Sequence, residues 1–413
     1  MQYDFLEQST RLLREAGRIG QIDPNVMAFL AAPARVVIFR IPLKMDDGSF
    51  RVFDAYRVRY NDALGPTRDG TRISADLDLG EVKSLALIMS IKHAAGRIPA
   101  GGGKGGVSAN PRELSKREFE TLCRTYIRQL RPRGHAYDVP GADIGTDLQS
   151  MSWMLDEYES ITGYHDPAAI NDKPPILGGS LGGYEATGRG VFDVFEEAAK
   201  ATGFEIKDAS VAIQGFGQVG SVAASMFHEA GCRVVAVSDS RGGLYAKEGL
   251  DIPGLLAHKQ ATGKVADFAD SQPLTGQDLL ECDCDVLVPA AVQGVITADT
   301  AYRIKAQMLV EAANAPTTVE AEAILLERGI TIVPDVLANA GSVHLCQMER
   351  SQGLADNYWD IETINHLRHQ RLVAGYRAAM NAAAKYQLKS VRLGAWINAL
   401  KRIEEAMQMR GWC

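Results

Sequence analysis

From Val211 to Ser240 the chain reads VAIQGFGQVGSVAASMFHEAGCRVVAVSDS. An apolar run of strand length leads into Gly215, Gly217 and Gly220, a helical stretch follows, and a second apolar run ends on Asp239. Strand, glycine turn, helix and strand in that order are the pattern expected of a dinucleotide-binding βαβ unit. The first glycine permits the tight turn, the second lets backbone approach a pyrophosphate, and the third lets helix pack closely on strand. The segment Gly215, Phe216, Gly217, Gln218, Val219, Gly220 is therefore a candidate cofactor loop, with the helix N-terminus favouring phosphate charge. Asp239, about 20 residues on and followed by Ser240, is the residue type that accepts hydrogen bonds from the adenosine ribose. A carboxylate there repels a 2′-phosphate, so NAD is expected over NADP. Arg241 can soften that preference, so NADP stays open. A glycine turn that binds nothing is the plain alternative.

Three more short apolar runs, in CDVLVPAA, MLVEAAN and ITIVPDV, each end at a loop of small residues, as in a doubly wound parallel sheet. The earlier part of the chain has another texture. A helix is expected over roughly residues 3–18. RVVIFRIPLKMDDGSFRVFDAYRVRYN alternates apolar and polar residues on both sides of Asp47-Gly48, a hairpin signal. LDLGEVKSLALIMSIKHAAGR has helical spacing and ends near Gly96. Ser115 with Glu118, and Thr146 with Gln149, read as capping boxes. From about Asp360 the chain reads as helix to its end.

The stretch RIPAGGGKGGVSANP sets one lysine, Lys104, among five glycines. It is not a phosphate-binding loop, because Ile98 stands where that motif needs its first glycine and Gly105 where it needs Ser or Thr. A glycine turn carrying Lys104 is expected, with a solvated surface lysine as the plain alternative. Lys92, near the end of a helix, and Asp143, in YDVPGADIGTD, join it as charged candidates. A lysine in an apolar cleft has a lowered pKa and becomes useful in proton transfer.

In these residues the chain resembles the amino-acid dehydrogenase superfamily of glutamate, leucine, phenylalanine and valine dehydrogenases. The resemblance runs from about residue 35 to the C-terminus, through YNDALGPTRDGTR, EVKSLALIMSIKHAA, PAGGGKGG, DVPGADIGT, EATGRGV, QGFGQVG, VEAANAPTT, VPDVLANAGSV and RIEEAMQMRGW. The last segment, EATGRGV and the 413-residue length lean toward the hexameric glutamate dehydrogenases. The resemblance implies reversible NAD-dependent oxidative deamination of an L-amino acid, with L-glutamate, 2-oxoglutarate and ammonia as the leading case. Lys104 would be the catalytic lysine, Asp143 would handle protons, and Lys92 would grip the α-carboxylate. Thr187, Asn314 and Asn339 match cofactor-side residues. Departures gather where the substrate side chain would lie. Arg68-Asp69-Gly70 stands for Lys-Gly-Gly, Cys346 for a serine, and Gly141 for an alanine, widening the space by about a methyl. Arg68 would meet a side-chain carboxylate, or turn aside to pair with Asp69 on the surface. A dehydrogenase for a neutral or differently sized amino acid is the alternative, and a nucleotide-binding protein without turnover is a further one.

The expected architecture is two α/β domains with a cleft between them: residues 1–184 for substrate and oligomerisation, 185–348 for the Rossmann-type dinucleotide domain, and 349–413 as helices returning to the first. The net charge of −7 argues against nucleic-acid or anionic-membrane partners. No apolar run approaches the roughly 18 residues of a membrane helix. The N-terminus carries acidic residues and no apolar h-region, unlike a signal peptide, and six scattered cysteines fit a reduced cytoplasmic chain. The pair Cys282 and Cys284, without a second pair or nearby histidine, is weak grounds for a metal, and none is expected. The expected partners are an amino acid, its 2-oxo acid and ammonia, and further copies of the chain as a homohexamer.

Overall fold

Alternation of apolar and polar side chains makes β1 (Arg35–Lys44) and β2 (Phe50–Asn61) an antiparallel hairpin around Asp47-Gly48. The computed structural model describes residues 5–131 and 133–413. It divides into two units, the first made of the chain up to Gly183 together with Val343–Asn365 and Trp396–Cys413.

In this first unit α1 (Phe5–Ile19) and α2 (Pro24–Leu30) precede the hairpin. After it come β3 (Thr67–Ser74), α3 (Leu79–Ala95), β4 (Gly101–Ser108), α4 (Lys116–Leu130), β5 (Asp138–Ala142) and α5 (Leu148–Thr162). The sheet order is β1-β2-β4-β3-β5, with β4 antiparallel to β2 and parallel to β3, and β3 parallel to β5. Ile41, Phe53, Val107, Tyr126, Met151 and Tyr158 belong to the core that α4 and α5 close against this sheet.

The glycine-rich stretch around Lys104 is therefore a central strand and not a turn. Its glycines answer to packing. A Cβ at Gly102 would sit 2.1 Å from Ser90 Oγ and 2.2 Å from Ala86 O of α3, and one at Gly105 would sit 2.2 Å from Tyr126 Oη. Helix α3 at Gly102 and Tyr126 of α4 at Gly105 lie so close that no side chain fits.

The Ser115–Glu118 capping box is present at α4. At α5 the box is Asp147 with Ser150, one residue later than the expected Thr146 with Gln149. The Thr146 hydroxyl is otherwise engaged, accepting from Asp143 N at 2.8 Å and reaching Thr71 O at 3.1 Å.

The second unit comprises Tyr184–Ser342 and His366–Ala395. It begins with α6 (Ala186–Thr202), β6 (Ser210–Gln214), α7 (Gln218–Glu229), β7 (Arg233–Asp239), β8 (Gly242–Tyr245), α8 (Ile252–Thr262) and β9 (Gln272–Leu274). It continues with α9 (Gly276–Leu280), β10 (Val286–Pro289), α10 (Ala298–Ala301), β11 (Met308–Val310), α11 (Val319–Glu327), β12 (Thr331–Val333) and α12 (Asp335–Ala338). The sheet runs β12-β11-β10-β6-β7-β8-β9. The first five strands are parallel, as the apolar runs predict, and β8 and β9 add an antiparallel edge.

The chain ends in α13 (Gly341–Ala355), α14 (Ile361–Lys385) and α15 (Val391–Met409). These helices do not return to the first unit as one block, because residues 366–395 belong to the second. Ion pairs hold them there. Arg368 meets Asp193 at 3.1 Å, Arg377 meets Glu197 at 2.6 Å, and buried Arg392 meets Glu311, Glu322 and Asp335 at 2.6, 2.5 and 2.5 Å.

Candidate active site

In the first unit β3, β4 and β5 lie side by side, so alternate residues of each reach the same face. Lys104, only 3% exposed on its side chain, contacts two carboxylates: Asp143 Oδ2, just past β5, and Asp69 Oδ2 of β3 at 2.7 Å. Arg72 Nε binds the other oxygen of Asp143 at 2.7 Å and its Nη1 binds Glu81 at 2.7 Å. Burial by itself would lower the Lys104 pKa, but Asp143 and Asp69 outweigh it and the pKa is raised. That corrects the expectation of a lysine with depressed pKa. The resting site holds a charged ammonium. Burial likewise opposes ionisation of Asp143, and Lys104 and Arg72 reverse it, leaving the carboxyl well below the usual range.

Asp69 itself is unusual. Its φ of +149° is a conformation glycine adopts freely and other residues resist. Its carbonyl is pinned by Arg57 Nη1 at 3.0 Å. Arg57 is fixed in turn by a buried two-pronged pair to Asp138 at 2.8 and 2.7 Å. The side chain of Asp69 turns to Lys104 and not to Arg68, so the surface pair of Arg68 with Asp69 does not form.

Arg68 is 2% exposed. Its Nη2 donates a long hydrogen bond, 3.4 Å, to Pro99 O, and its Nε has no hydrogen-bond partner among the described residues. Burial first, and the Arg350 charge second, push its pKa down to about 9, so the buried guanidinium remains charged at neutral pH. His93, bonded through Nδ1 to Gly101 O at 2.9 Å, lies in the same neighbourhood. Burial first, then the Arg68 charge, with smaller pushes from His344 and Lys92, lower its pKa to about 3 and keep it neutral. Lys92, on α3, is buried. Arg68 and Lys92 are thus two buried cations of this unit, and the part-buried Arg350 adds its charge near Arg68.

Gly141 and Cys346 meet on a residue the sequence reading passed over, Asp172. Its Oδ2 accepts from Ala142 N at 2.9 Å and its Oδ1 from Cys346 Sγ at 3.3 Å. A Cβ at Gly141 would lie 2.7 Å from Asp172 Oδ2. The space left by the missing methyl is therefore occupied by this carboxylate and does not widen the site.

In the second unit the candidate cofactor loop has the tight turn and close packing its glycines predict. Gly215 has φ +96°, a Cβ at Gly217 would meet nothing, and one at Gly220 would lie 1.8 Å from Gly215 O. Gly217 caps α7 with no side-chain acceptor, which leaves the first-turn N–H groups to an anion. Gln218 Nε2 donates to Tyr184 O at 2.9 Å, Phe216 is buried, and Val219 lies in the first turn of α7. Asp239, at the end of β7 with Ser240 next, accepts from Arg241 N and Val265 N, both at 2.9 Å. Lys259 of α8 lies 3.3 Å from Asp239 Oδ2 and donates to Phe216 O at 2.5 Å. Burial raises the Asp239 pKa, but the two N–H groups and Lys259 outweigh it and the carboxyl is held low. Lys259 belongs to no motif and only the fold brings it to Asp239. Thr187 lies in the first turn of α6. Asn339 Nδ2 donates to Asn314 Oδ1 at 3.1 Å and to Ala312 O at 3.2 Å, so the two asparagines meet. An open glycine, an uncapped helix start and a low-pKa acid beyond them suit a pyrophosphate and a ribose, and the residues present fit a nicotinamide dinucleotide.

Residues 33–160 match the Glu/Leu/Phe/Val dehydrogenase dimerisation domain, and residues 178–411 match Glutamate/Leucine/Phenylalanine/Valine dehydrogenase. A catabolic NAD-specific glutamate dehydrogenase of Bacillus subtilis is 40% identical over 410 residues, 99% of this chain and 96% of that one. An NAD-specific glutamate dehydrogenase of Staphylococcus aureus is 40% identical over 402 residues, 97% of each. Among solved structures, the hetero-hexameric glutamate dehydrogenase of Thermus thermophilus in its Leu-bound form is 35% identical with a TM-score of 0.95, covering 100% of this chain and 98% of that one. The glutamate dehydrogenase of Peptoniphilus asaccharolyticus is 35% identical with a TM-score of 0.87, covering 99% and 100%. With both of its units matched and full-length relatives at this identity, the chain belongs to the glutamate/leucine/phenylalanine/valine dehydrogenase family.

Proposed function

We propose that this chain is an NAD-dependent dehydrogenase that deaminates L-glutamate oxidatively and reversibly to 2-oxoglutarate and ammonia. The observation that carries the reading is the contact of buried Lys104 with Asp143, in the same unit as the buried cations Arg68 and Lys92. The NAD-specific glutamate dehydrogenases at 40% identity support both the substrate and the cofactor.

NAD supplies the hydride acceptor that makes Cα electrophilic. Gly215 to Gly220 and the N-terminus of α7 hold its pyrophosphate, Asp239 its adenosine ribose, and Thr187, Asn314 and Asn339 its nicotinamide side. Lys92 binds the substrate α-carboxylate through Nζ. Arg68 binds the side-chain carboxylate, a forked donor for a planar acceptor. Asp143, whose Oδ2 contacts Lys104, takes the proton of the substrate α-ammonium so that hydride can leave Cα, and Lys104 acts once its own ammonium has lost a proton to solvent. The free amine at Nζ then removes a proton from the water that adds to the oxidised Cα. Asp143 returns a proton to the departing nitrogen. Arg72 holds Asp143 from its other oxygen, so the carboxylate faces Lys104 in one orientation.

The chain acts as a homo-oligomer, with a hexamer as the expected form, and works in the cytoplasm. No helix among the described residues is long and apolar enough to cross a membrane. The test is Lys104→Ala and Asp143→Asn. Lys104→Ala should lower turnover by several orders of magnitude and Asp143→Asn by roughly 10²–10⁴-fold, with NADH binding intact in both. Near-normal turnover in Lys104→Ala removes the assignment.

A further inference from the structure

In an open parallel sheet a ligand lies beyond the carboxyl ends of the strands. In the second unit β11 ends at Val310 and β12 at Val333, and these two residues pair in register. The chain runs from β11 into the loop that carries Asn314, and from β12 through α12 to Asn339, which caps that helix. The two asparagine side chains meet at 3.1 Å. Ala315, next to Asn314, has a φ of +43°, a left-handed conformation that alanine resists.

One buried residue reaches both asparagine segments. Asp335 is 2% exposed. Its Oδ2 accepts the N–H of Ala315 at 2.8 Å, and its carbonyl accepts the N–H of Asn339 at 3.2 Å. Its Oδ1 accepts from Arg392 Nη1 at 2.5 Å. Its own N–H donates to Glu311 Oε2 at 2.9 Å, the oxygen that Arg392 Nη2 also contacts, at 2.6 Å. Arg392 Nε donates to Glu322 Oε2 at 2.5 Å, and Ser390 Oγ donates to Glu322 Oε1 at 2.5 Å. Three nitrogens of one guanidinium therefore go to three different carboxylates, which leaves the Asp335 side chain a single orientation. In that orientation its second oxygen faces the strained residue beside Asn314.

We propose that Asp335, fixed by Arg392, is a positioning residue for the cofactor: through Ala315 and the α12 turn it holds Asn314 and Asn339 in the arrangement that receives the nicotinamide end of the dinucleotide. This rests on the reading of the two asparagines as nicotinamide-side residues given above. With the Ala315 N–H released, residue 315 relaxes toward ordinary negative φ and Asn314 turns with it. Binding must then restore the loop, and that ordering weakens the complex. The adenosine end, held by the Gly215–Gly220 loop and Asp239, does not depend on this bridge.

The experiment is calorimetric binding to the full-length protein, wild type against Asp335→Asn, with NADH and ADP-ribose as probes. The two share the adenosine, the pyrophosphate and the second ribose, and differ by the dihydronicotinamide ring. An amide has one oxygen, so it can accept from Arg392 or from Ala315 but not from both. Asp335→Asn should weaken NADH by about tenfold or more and move ADP-ribose by less than about twofold. A purely structural role would weaken both probes alike. Glycine adopts a left-handed φ freely, so Ala315→Gly added to Asp335→Asn should recover about threefold or more of the NADH loss. Asp335→Ala removes both oxygens and leaves Arg392 with Glu311 and Glu322; it serves as the second variant, with the same split expected, if the asparagine form does not fold. Equal weakening of both probes, no weakening of NADH, or no recovery in the double variant would overturn the proposal. A wild type that binds neither probe would instead overturn the dinucleotide reading, and this proposal with it.

Discussion

Replacing Arg68 by leucine separates the cost of this residue from its use. In the protein alone Arg68 is 2% exposed, with a hydrogen bond at 3.4 Å and no partner for Nε among the described residues. A pKa pushed from 12.5 down to about 9 corresponds to a penalty on the order of 4–5 kcal/mol for the charged form. Leucine removes that penalty but also the packing of the arginine stem, so the net gain should be about 1–3 kcal/mol. For a unit of this size that is a rise of roughly 2–4 °C in Tm per kcal/mol. The kinetics should move the other way. A substrate carboxylate pairs with Arg68 out of water, and loss of one partner of such a pair costs about 3–5 kcal/mol. At about 1.4 kcal/mol per decade this lowers kcat/KM for L-glutamate by roughly two to three and a half orders of magnitude. Neutral amino acids such as L-norvaline should be turned over equally well or better. The assay is a thermal melt beside steady-state kinetics on both substrates. A lower Tm together with unchanged glutamate kinetics would refute the reasoning, because Arg68 would then be a structural residue with a partner inside the protein.

Three other outcomes follow from the geometry. Asp69→Gly removes one of the two carboxylates that raise the Lys104 pKa, so the free amine should form at lower pH and the rising limb of the kcat–pH profile should move to lower pH. Asp143 and, behind it, Arg72 remain beside the lysine in that variant, and an unmoved limb means that Asp69 does not govern its proton. Asp239→Ser removes the charge that repels a 2′-phosphate and releases Lys259, 3.3 Å away, so the ratio of kcat/KM for NADP⁺ to that for NAD⁺ should rise at least tenfold. Arg392→Leu leaves Glu311, Glu322 and Asp335 buried together without their cation. It should cost about 3–5 kcal/mol or more in chemical denaturation.

How far the sequence spoke for the fold depended on what kind of constraint each residue answers to. Gly215, Gly217 and Gly220 were legible because backbone conformation and close approach demand glycine at fixed spacing, and the strands around them carry unbroken apolar runs. The glycines around Lys104 misled for a related reason. Local propensity reads them as a turn, whereas the packing of α3 and Tyr126 onto a buried strand requires them. The capping box at α5 lay one residue off because both Thr146 and Asp147 can cap, and only the strand contact to Thr71 O engages the threonine.

In the site itself, Lys92, Lys104, Asp143 and Arg68 stood in recognisable motifs. The protonation of Lys104 did not, since it depends on Asp69 meeting it across two strands. A signal for Asp69 was nonetheless present: an aspartate stands where the Lys-Gly-Gly pattern has glycine, at a φ that glycine favours. Asp172 and Lys259 had none, being single charges in loop and helix that only the folded chain brings to Cys346 and Asp239.

The most direct test of the dehydrogenase reading is initial-rate turnover of the purified wild-type chain with a panel of L-amino acids, NAD⁺ and NADP⁺, followed by dihydronicotinamide absorbance. L-Glutamate with NAD⁺ should be oxidised with release of ammonia and 2-oxoglutarate, and NADP⁺ should give at least tenfold lower kcat/KM. A preference for leucine, phenylalanine or valine over glutamate would place Arg68 outside the substrate contact and the enzyme among the neutral amino-acid dehydrogenases. No turnover with any amino acid and either dinucleotide would contradict the catalytic account built on Lys104 and Asp143.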